Sequence, residues 1–228
     1  MPRAGGAVTV TEAQYPARYQ DAHGSEPTTI TNDGACLRMV VRGVAWVGRD
    51  FDQLEPEDGT PPARLATFTL AHGALCDCAL TFEMPAVVVG PGGASPATIA
   101  VALTLGRPRP SGGIDAEVVR CALTWAGGRV EGTGASGWFE DELLELQRQL
   151  PPDVYLRSCI NCQYSDYSPG GHGLFGDLLC FRNVKAAYAQ VHSKATFWPV
   201  LPLAERAVQE TDHCEQFARR VPGTGYRG

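Results

Sequence analysis

The feature that most constrains this chain is an apolar–polar alternation that recurs along its first 130 residues. In 75-LCDCALTFEM-84, Cys76, Cys78, Leu80, Phe82 and Met84 fall on one side, while Asp77, Thr81 and Glu83 fall on the other. The same period of two runs through 97-ATIAVALTLGR-107 and through 117-EVVRCALTWAGGRVEG-132, which ends on a Gly127-Gly128 turn. It also marks 64-RLATFTLAH-72 and the β-branched run 37-LRMVVRGVAWV-47. Such spacing belongs to strands with one dry face and one wet face. Turn-rich breaks such as 55-EPEDGTPP-62 and 90-GPGGASP-96 separate them. The expectation is an antiparallel, sandwich-like body over residues 1–135, with an open barrel as the related alternative.

The period then changes. In 136-SGWFEDELLELQRQLPPD-153, Phe139, Leu143, Leu146 and Leu150 form one helical stripe, Ser136 can cap the start, and Pro151-Pro152 stops the run. This predicts an amphipathic connecting helix over 136–152, with the acids of 140-EDELLE-145 as its wet face. Residues 153–228 lack clean periodicity. A weaker helix is expected over 182–192, irregular packed chain over 196–206, and a short helix over 211–220 opened by an Asp212/Glu215 capping box. The fold class is therefore α+β: a β-sandwich-like body, one helix, and an irregular or helical C-terminal module.

With 228 residues the chain can bury a core without needing cross-links. The formal charge of −6 argues against a general nucleic-acid binder. Residues 1–150 hold 11 Lys+Arg against 18 Asp+Glu, and residues 151–228 hold 8 against 7, so the tail is the relatively basic part. The opening MPRAGGAVTV has too short an apolar run for a secretion signal, and no segment approaches the ~20 apolar residues that span a bilayer. The expected setting is the reducing cytoplasm, where eight cysteines read as thiols or metal ligands.

Four cysteines fit a core. Cys76, Cys78 and Cys121 occupy inward strand positions, and Cys36 sits beside Leu37. The other four lie in glycine-rich or aperiodic chain, in 157-RSCINCQYSDYSPGGHGLFGDLLCFRNVK-185 and 211-TDHCEQFARR-220. A Cys-x2-Cys step lets two sulfurs face one ion, so Cys159 and Cys162, with Cys180 and Cys214, are expected to ligate one Zn²⁺ and tie three loose segments together. His213 and His172 are alternative ligands. Four thiolates around Zn²⁺ carry a formal −2. Arg157, Arg182 and Arg220, with Lys185 and Arg219, stand close enough in sequence to compensate it or to donate to sulfur.

The string C-x-N-C-x-YSDYSP…FG-x-L-x-CFR…C…GTGYRG resembles the ending of an uncharacterised bacterial family of unknown function. Cys159, Cys162, Cys180, Cys214, Tyr164, Ser165, Asp166, Tyr167, Arg182 and Tyr226 carry the likeness, which lies in the last third of the chain. It implies a shared site and no particular reaction.

Two functions remain open. A closed four-cysteine zinc site organises chain and performs no chemistry, which suits a binding or accessory protein for a protein or small-molecule partner. An exposed 163-QYSDYSP-169 loop and the 223-GTGYRG-228 tail, with Tyr164, Asp166, Tyr167 and Tyr226, would then be its recognition surface. The alternative is a redox protein holding an iron–sulfur cluster on the same thiols. Dithiol–disulfide cycling at Cys159–Cys162 is a lesser reading. No hydrolase, phosphate-loop or metalloprotease motif is present. Asp166, Asp177, His172 and His192 form no spacing that selects an acid–base pair, so the enzyme class stays open and leans towards none.

Overall fold

The computed structural model describes residues 12–227. The opening stretch read for a secretion signal lies outside the described residues. Strands β1 (Ala13–Asp21), β2 (Gly24–Asn32), β3 (Leu37–Val41), β4 (Val44–Gly48) and β5 (Glu55–Pro56) form an antiparallel meander. A helical turn, α1 (Pro62–Leu65), and a hairpin of β6 (Thr69–Ala71) and β7 (Ala74–Cys76) follow. Then come β8 (Cys78–Gly90), β9 (Gly93–Leu105), β10 (Glu117–Trp125), β11 (Gly128–Glu131) and the helix α2 (Phe139–Gln149).

The expected sandwich-like body is one continuous ladder, ordered β11-β10-β9-β8-β1-β2-β3-β4-β5. β1 pairs with β2 on one edge and with β8 on the other, so the two halves are joined by hydrogen bonds into one sheet. The expected alternation is present: Leu80, Phe82 and Met84 of β8 and Ile99, Val101 and Leu103 of β9 are all buried. The 37–47 run is a hairpin rather than one strand, because Arg42 and Gly43 adopt φ of 49° and 70°. Only the Thr69–Ala71 end of the 64–72 run is strand; Pro62 opens a helical turn before it. Asp77, at φ 53°, breaks the next run between Cys76 and Cys78.

Helix α2 covers the dry face of the sheet with Phe139, Leu143 and Leu146. Two details of its expected form are corrected. Ser136 does not cap it; Trp138 holds the N-cap position, and the Ser136 hydroxyl accepts the Trp138 N–H at 3.1 Å. Nor do all its acids face water. Glu142 is buried and accepts the N–H groups of Cys121 (3.0 Å) and Gly134 (2.7 Å), fastening the helix to β10. The two charge-assisted bonds satisfy backbone donors and offset part of the cost of burying the carboxylate.

The tail adds β12 (Tyr155–Leu156), paired to β8, then β13 (Ser165–Asp166), β14 (Leu178–Cys180), α3 (Lys185–Tyr188), α4 (Lys194–Phe197) and β15 (Arg206–Val208). β13, β14 and β15 make a small antiparallel sheet. The expected 182–192 helix is a single turn, and the supposedly irregular 196–206 contains the end of α4, which Ser193 starts with a capping box to Thr196. No helix forms over 211–220, because Ala218 and Arg219 extend instead to pair with Gln163 and Cys162. One hydrophobic core runs from the sheet into the tail through Leu156, Ile160, Leu174 and Phe175. A second, smaller cluster gathers Phe181, Tyr188, Val191, Phe197 and Val200.

Candidate functional site

The cysteine neighbourhood is assembled by backbone pairing. A 3-10 turn at Cys159–Asn161 closes on Cys162, whose N–H donates to the Cys159 carbonyl at 3.0 Å. The Cys159 N–H donates to the Asp212 carbonyl and Ile160 to that of Glu210, which brings the 210–219 segment alongside. Cys162 bridges to Arg219, and Ser165 pairs with Cys180. Cys159, Cys162 and Cys180 are buried and Cys214 is half-buried, all as free thiols.

Burial pushes the Cys159 thiol well above its ordinary range. The charges of Asp212, Cys162, Cys180 and Cys214 add to it, so the four sulfurs share one electrostatic neighbourhood. Burial also raises Cys180, opposed by the Arg182 backbone N–H that donates to its sulfur. The Arg182 guanidinium donates to the Cys214 sulfur and is itself paired with Glu205, Nε to Oε2 at 2.7 Å. Arg157 donates to the Cys214 carbonyl at 2.9 Å. The donor set suits a thiophilic ion: four sulfurs with N–H donors aimed at two of them. Among the described residues, however, no three His, Cys, Asp or Glu groups stand so that they could hold a metal ion.

Of the two alternative histidine ligands, His213 adjoins Cys214, and His172 packs against Tyr167 and Glu140. His213 is exposed, and burial and then Arg157 depress its pKa. His172 stacks on Tyr167 with centroids 3.9 Å apart and lies 3.5 Å from Glu140. His192 is exposed.

The YSDYSP stretch is not an exposed loop. Ser165, Asp166 and Tyr167 are buried, and none of residues 163–169 is exposed. The reason is a polar hub at Asp166, which is 0% exposed. Its carboxylate accepts the Tyr188 hydroxyl at 2.7 Å, the Tyr226 N–H at 2.7 Å and the Arg227 Nε at 3.1 Å. Arg227 also donates to the Ile160 carbonyl at 3.0 Å and reaches Glu140 at 3.6 Å. Arg220 donates to the carbonyls of Cys162, Ser165 and Thr224. Residues 223–227 of the GTGYRG ending are thus folded back as a strap, and Gly228 lies outside the described residues. Gly225 must be glycine, because its φ is 75° and a Cβ would run into Tyr188, Arg220 and Asp166. Tyr164 instead lies under Lys185, 4.7 Å from the ring centroid. Cys76, Cys78 and Cys121 are core as expected, whereas Cys36 is half-buried in a turn capped by Asp33.

Of a second group of residues, the sequence pointed only to Asp177. Asp50, Asp52, Asp177 and Glu210 come together where sheet and module meet. Burial raises the pKa of Asp50, with Asp52 and Glu210 adding to it. Burial pushes Glu210 up to about 7, although Gly176 N–H (2.8 Å) and the Tyr167 hydroxyl (2.9 Å) donate to it. Asp50 takes the N–H groups of Phe51 (2.6 Å) and Phe175 (3.0 Å). Asp50 and Asp52 stand two positions apart, but Asp177 and Glu210 lie 33 from each other and 125 or more from that pair, so no local spacing announces the group.

No curated protein and no solved structure matches the chain. The family model that does match spans residues 13–165. It covers the sheet, α2 and the first two cysteines, and ends before Cys180 and Cys214. Of the ending that carries the resemblance, only residues 159–165 fall within the matched region. Over more than half of its length the chain matches, and it belongs to, a family of unknown function, DUF6304.

Proposed function

We propose that this is a non-enzymatic binding or accessory protein of the cytoplasm whose C-terminal module is tied by one structural Zn²⁺ on Cys159, Cys162, Cys180 and Cys214. The observation that supports this reading is that backbone pairing gathers the cysteine-bearing segments, with Cys159 bonded to Asp212, Cys162 bridged to Arg219 and Cys180 paired with Ser165. Unligated, Cys159 and Cys180 are held protonated by burial; an ion that takes the sulfurs as thiolates supplies the missing positive charge. Loading requires the sulfurs to draw closer together than they stand. With all positions taken by cysteine, the ion would organise chain and leave no place for a reacting water.

Elemental analysis of untagged protein purified without added metal, with an absorption spectrum alongside, tests this. One zinc per chain and no visible colour are expected. Brown protein with charge-transfer absorption would replace zinc by an iron–sulfur cluster. Cys162→Ser should lose the metal and become protease-sensitive beyond about residue 150. An unchanged digest with metal retained would remove the assignment.

A further inference from the structure

Where the sheet meets the module there is a cavity of about 520 Å³, inside the roughly 300–1,000 Å³ span of small-molecule sites. Its walls come from both regions: the Asp33–Ala35 turn and Arg49–Asp50 from the sheet side, Phe175–Asp177 and Arg206–Gln209 from the module. The charges are sorted by depth. Asp50 is 3% exposed and Asp177 is half-buried, whereas Arg49 and Arg206 are exposed at the mouth.

Two of the remaining polar groups, Asp33 and Gln209, are already engaged, and the Gln53 side chain also faces the cavity. Asp33 is paired with Arg38 at 3.1 Å and caps its own turn. Gln209 forms a reciprocal amide pair with Asn32, at 2.6 and 2.8 Å. Among the described residues neither Arg49 nor Arg206 makes an ion pair, although Arg206 lies within electrostatic reach of Glu205 and Asp212. At the inner wall the Asp50 oxygens accept the Phe51 and Phe175 N–H groups, and its pKa is raised by burial and by Asp52 and Glu210, which lie behind the wall. Asp177 spends one oxygen on the Gly173 N–H at 2.6 Å. A Cβ on Gly173 would strike Asp50, so glycine there lets both carboxylates approach the same piece of backbone.

We infer that this cavity binds a small zwitterion of the amino-acid class, its ammonium directed to Asp50 and Asp177 and its carboxylate to Arg49 and Arg206. An ammonium supplies the cation that the inner acids lack. Planar guanidinium forks suit a carboxylate. A bare anion would meet the inner acids, and a bare cation would leave both arginines unused. The inference gives the binding reading above a ligand class, and it does not depend on the metal.

The test is thermal shift and calorimetry on the full chain with the protein amino acids one at a time, beside sodium acetate and ethylamine as half-ligands. At least one amino acid should raise the melting temperature and give a binding isotherm, while both half-ligands bind at least tenfold more weakly. Arg49→Ala and Arg206→Ala, at exposed positions, should keep the unliganded melting temperature and each weaken binding at least tenfold. Silence from every amino acid overturns the inference, as does acetate binding equally well or indifference to both substitutions. Metal content measured on the same samples keeps the two readings apart. Protein that retains zinc yet binds no amino acid sinks only the ligand, and protein that binds one without metal sinks only the zinc.

Discussion

Around Phe51 the sheet side of the molecule is carbon: its ring lies 4.9 Å from Phe82, 5.7 Å from Phe139 and 5.3 Å from Phe175. Around Asp166 the module is polar, with a fully buried carboxylate receiving a tyrosine hydroxyl, a backbone amide and a guanidinium from the end of the chain. The first kind of burial is non-directional and tolerates drift, since its gain scales with area removed from water. The second is all-or-none, because a buried charge that loses a partner costs several kcal/mol. The body should therefore loosen gradually under substitution, and the module should open as a unit.

The largest effect tests where the two regions join. Phe51→Ala removes a ring that touches sheet, helix and module at once and should cost about 4 kcal/mol, the usual figure for a buried aromatic. Because the core is continuous into Leu174 and Phe175, chemical denaturation should still show one transition, shifted. Two separated transitions would mean that the regions fold independently. Asp166→Asn comes next, at roughly 3 kcal/mol, since the amide cannot accept from all these donors and leaves Arg227 only Glu140 as a carboxylate partner. Hydrogen exchange should rise over residues 159–166 and 219–227 and stay unchanged in β8 to β10. Faster exchange throughout the sheet would erase the contrast.

The contrast also explains what could be read beforehand. Alternation is a local signal, and it found β8 to β11 because one strand face sees only one environment. It failed at Arg42-Gly43 and at Asp77, where positive φ breaks a run that looks uniform in hydrophobicity. The stripe of α2 was legible, but the role of Glu142 was not. An acid that caps the amides of Cys121 and Gly134 is indistinguishable in sequence from one that faces water. The module was less legible for the same reason. The partners of Asp166 lie 22, 60 and 61 residues away, so the polar YSDYSP string read as surface although it is interior. The cysteines stood out because few side chains announce their chemistry so directly. The cavity acids did not, since an isolated aspartate is ordinary until another element is folded against it.

The smallest expected effect belongs to Glu210, which sits on the boundary between the two regions. Burial raises its folded pKa to about 7, against roughly 4.3 in an unfolded chain. Between those values the folded state holds a proton that the unfolded state has released, so stability falls as pH rises through this window. From pH 5 to pH 8 the loss from this group is about 2.5 kcal/mol. Glu210→Gln keeps an acceptor for the Gly176 N–H and cannot ionise, so denaturant midpoints of the variant should decline less over that range. The remaining slope would come from Asp50 and Asp52, which burial raises in the same sense. If wild type instead gains stability from pH 5 to pH 8, the buried acids are not holding protons. The seam between sheet and module would then have to be wetter than its burial implies.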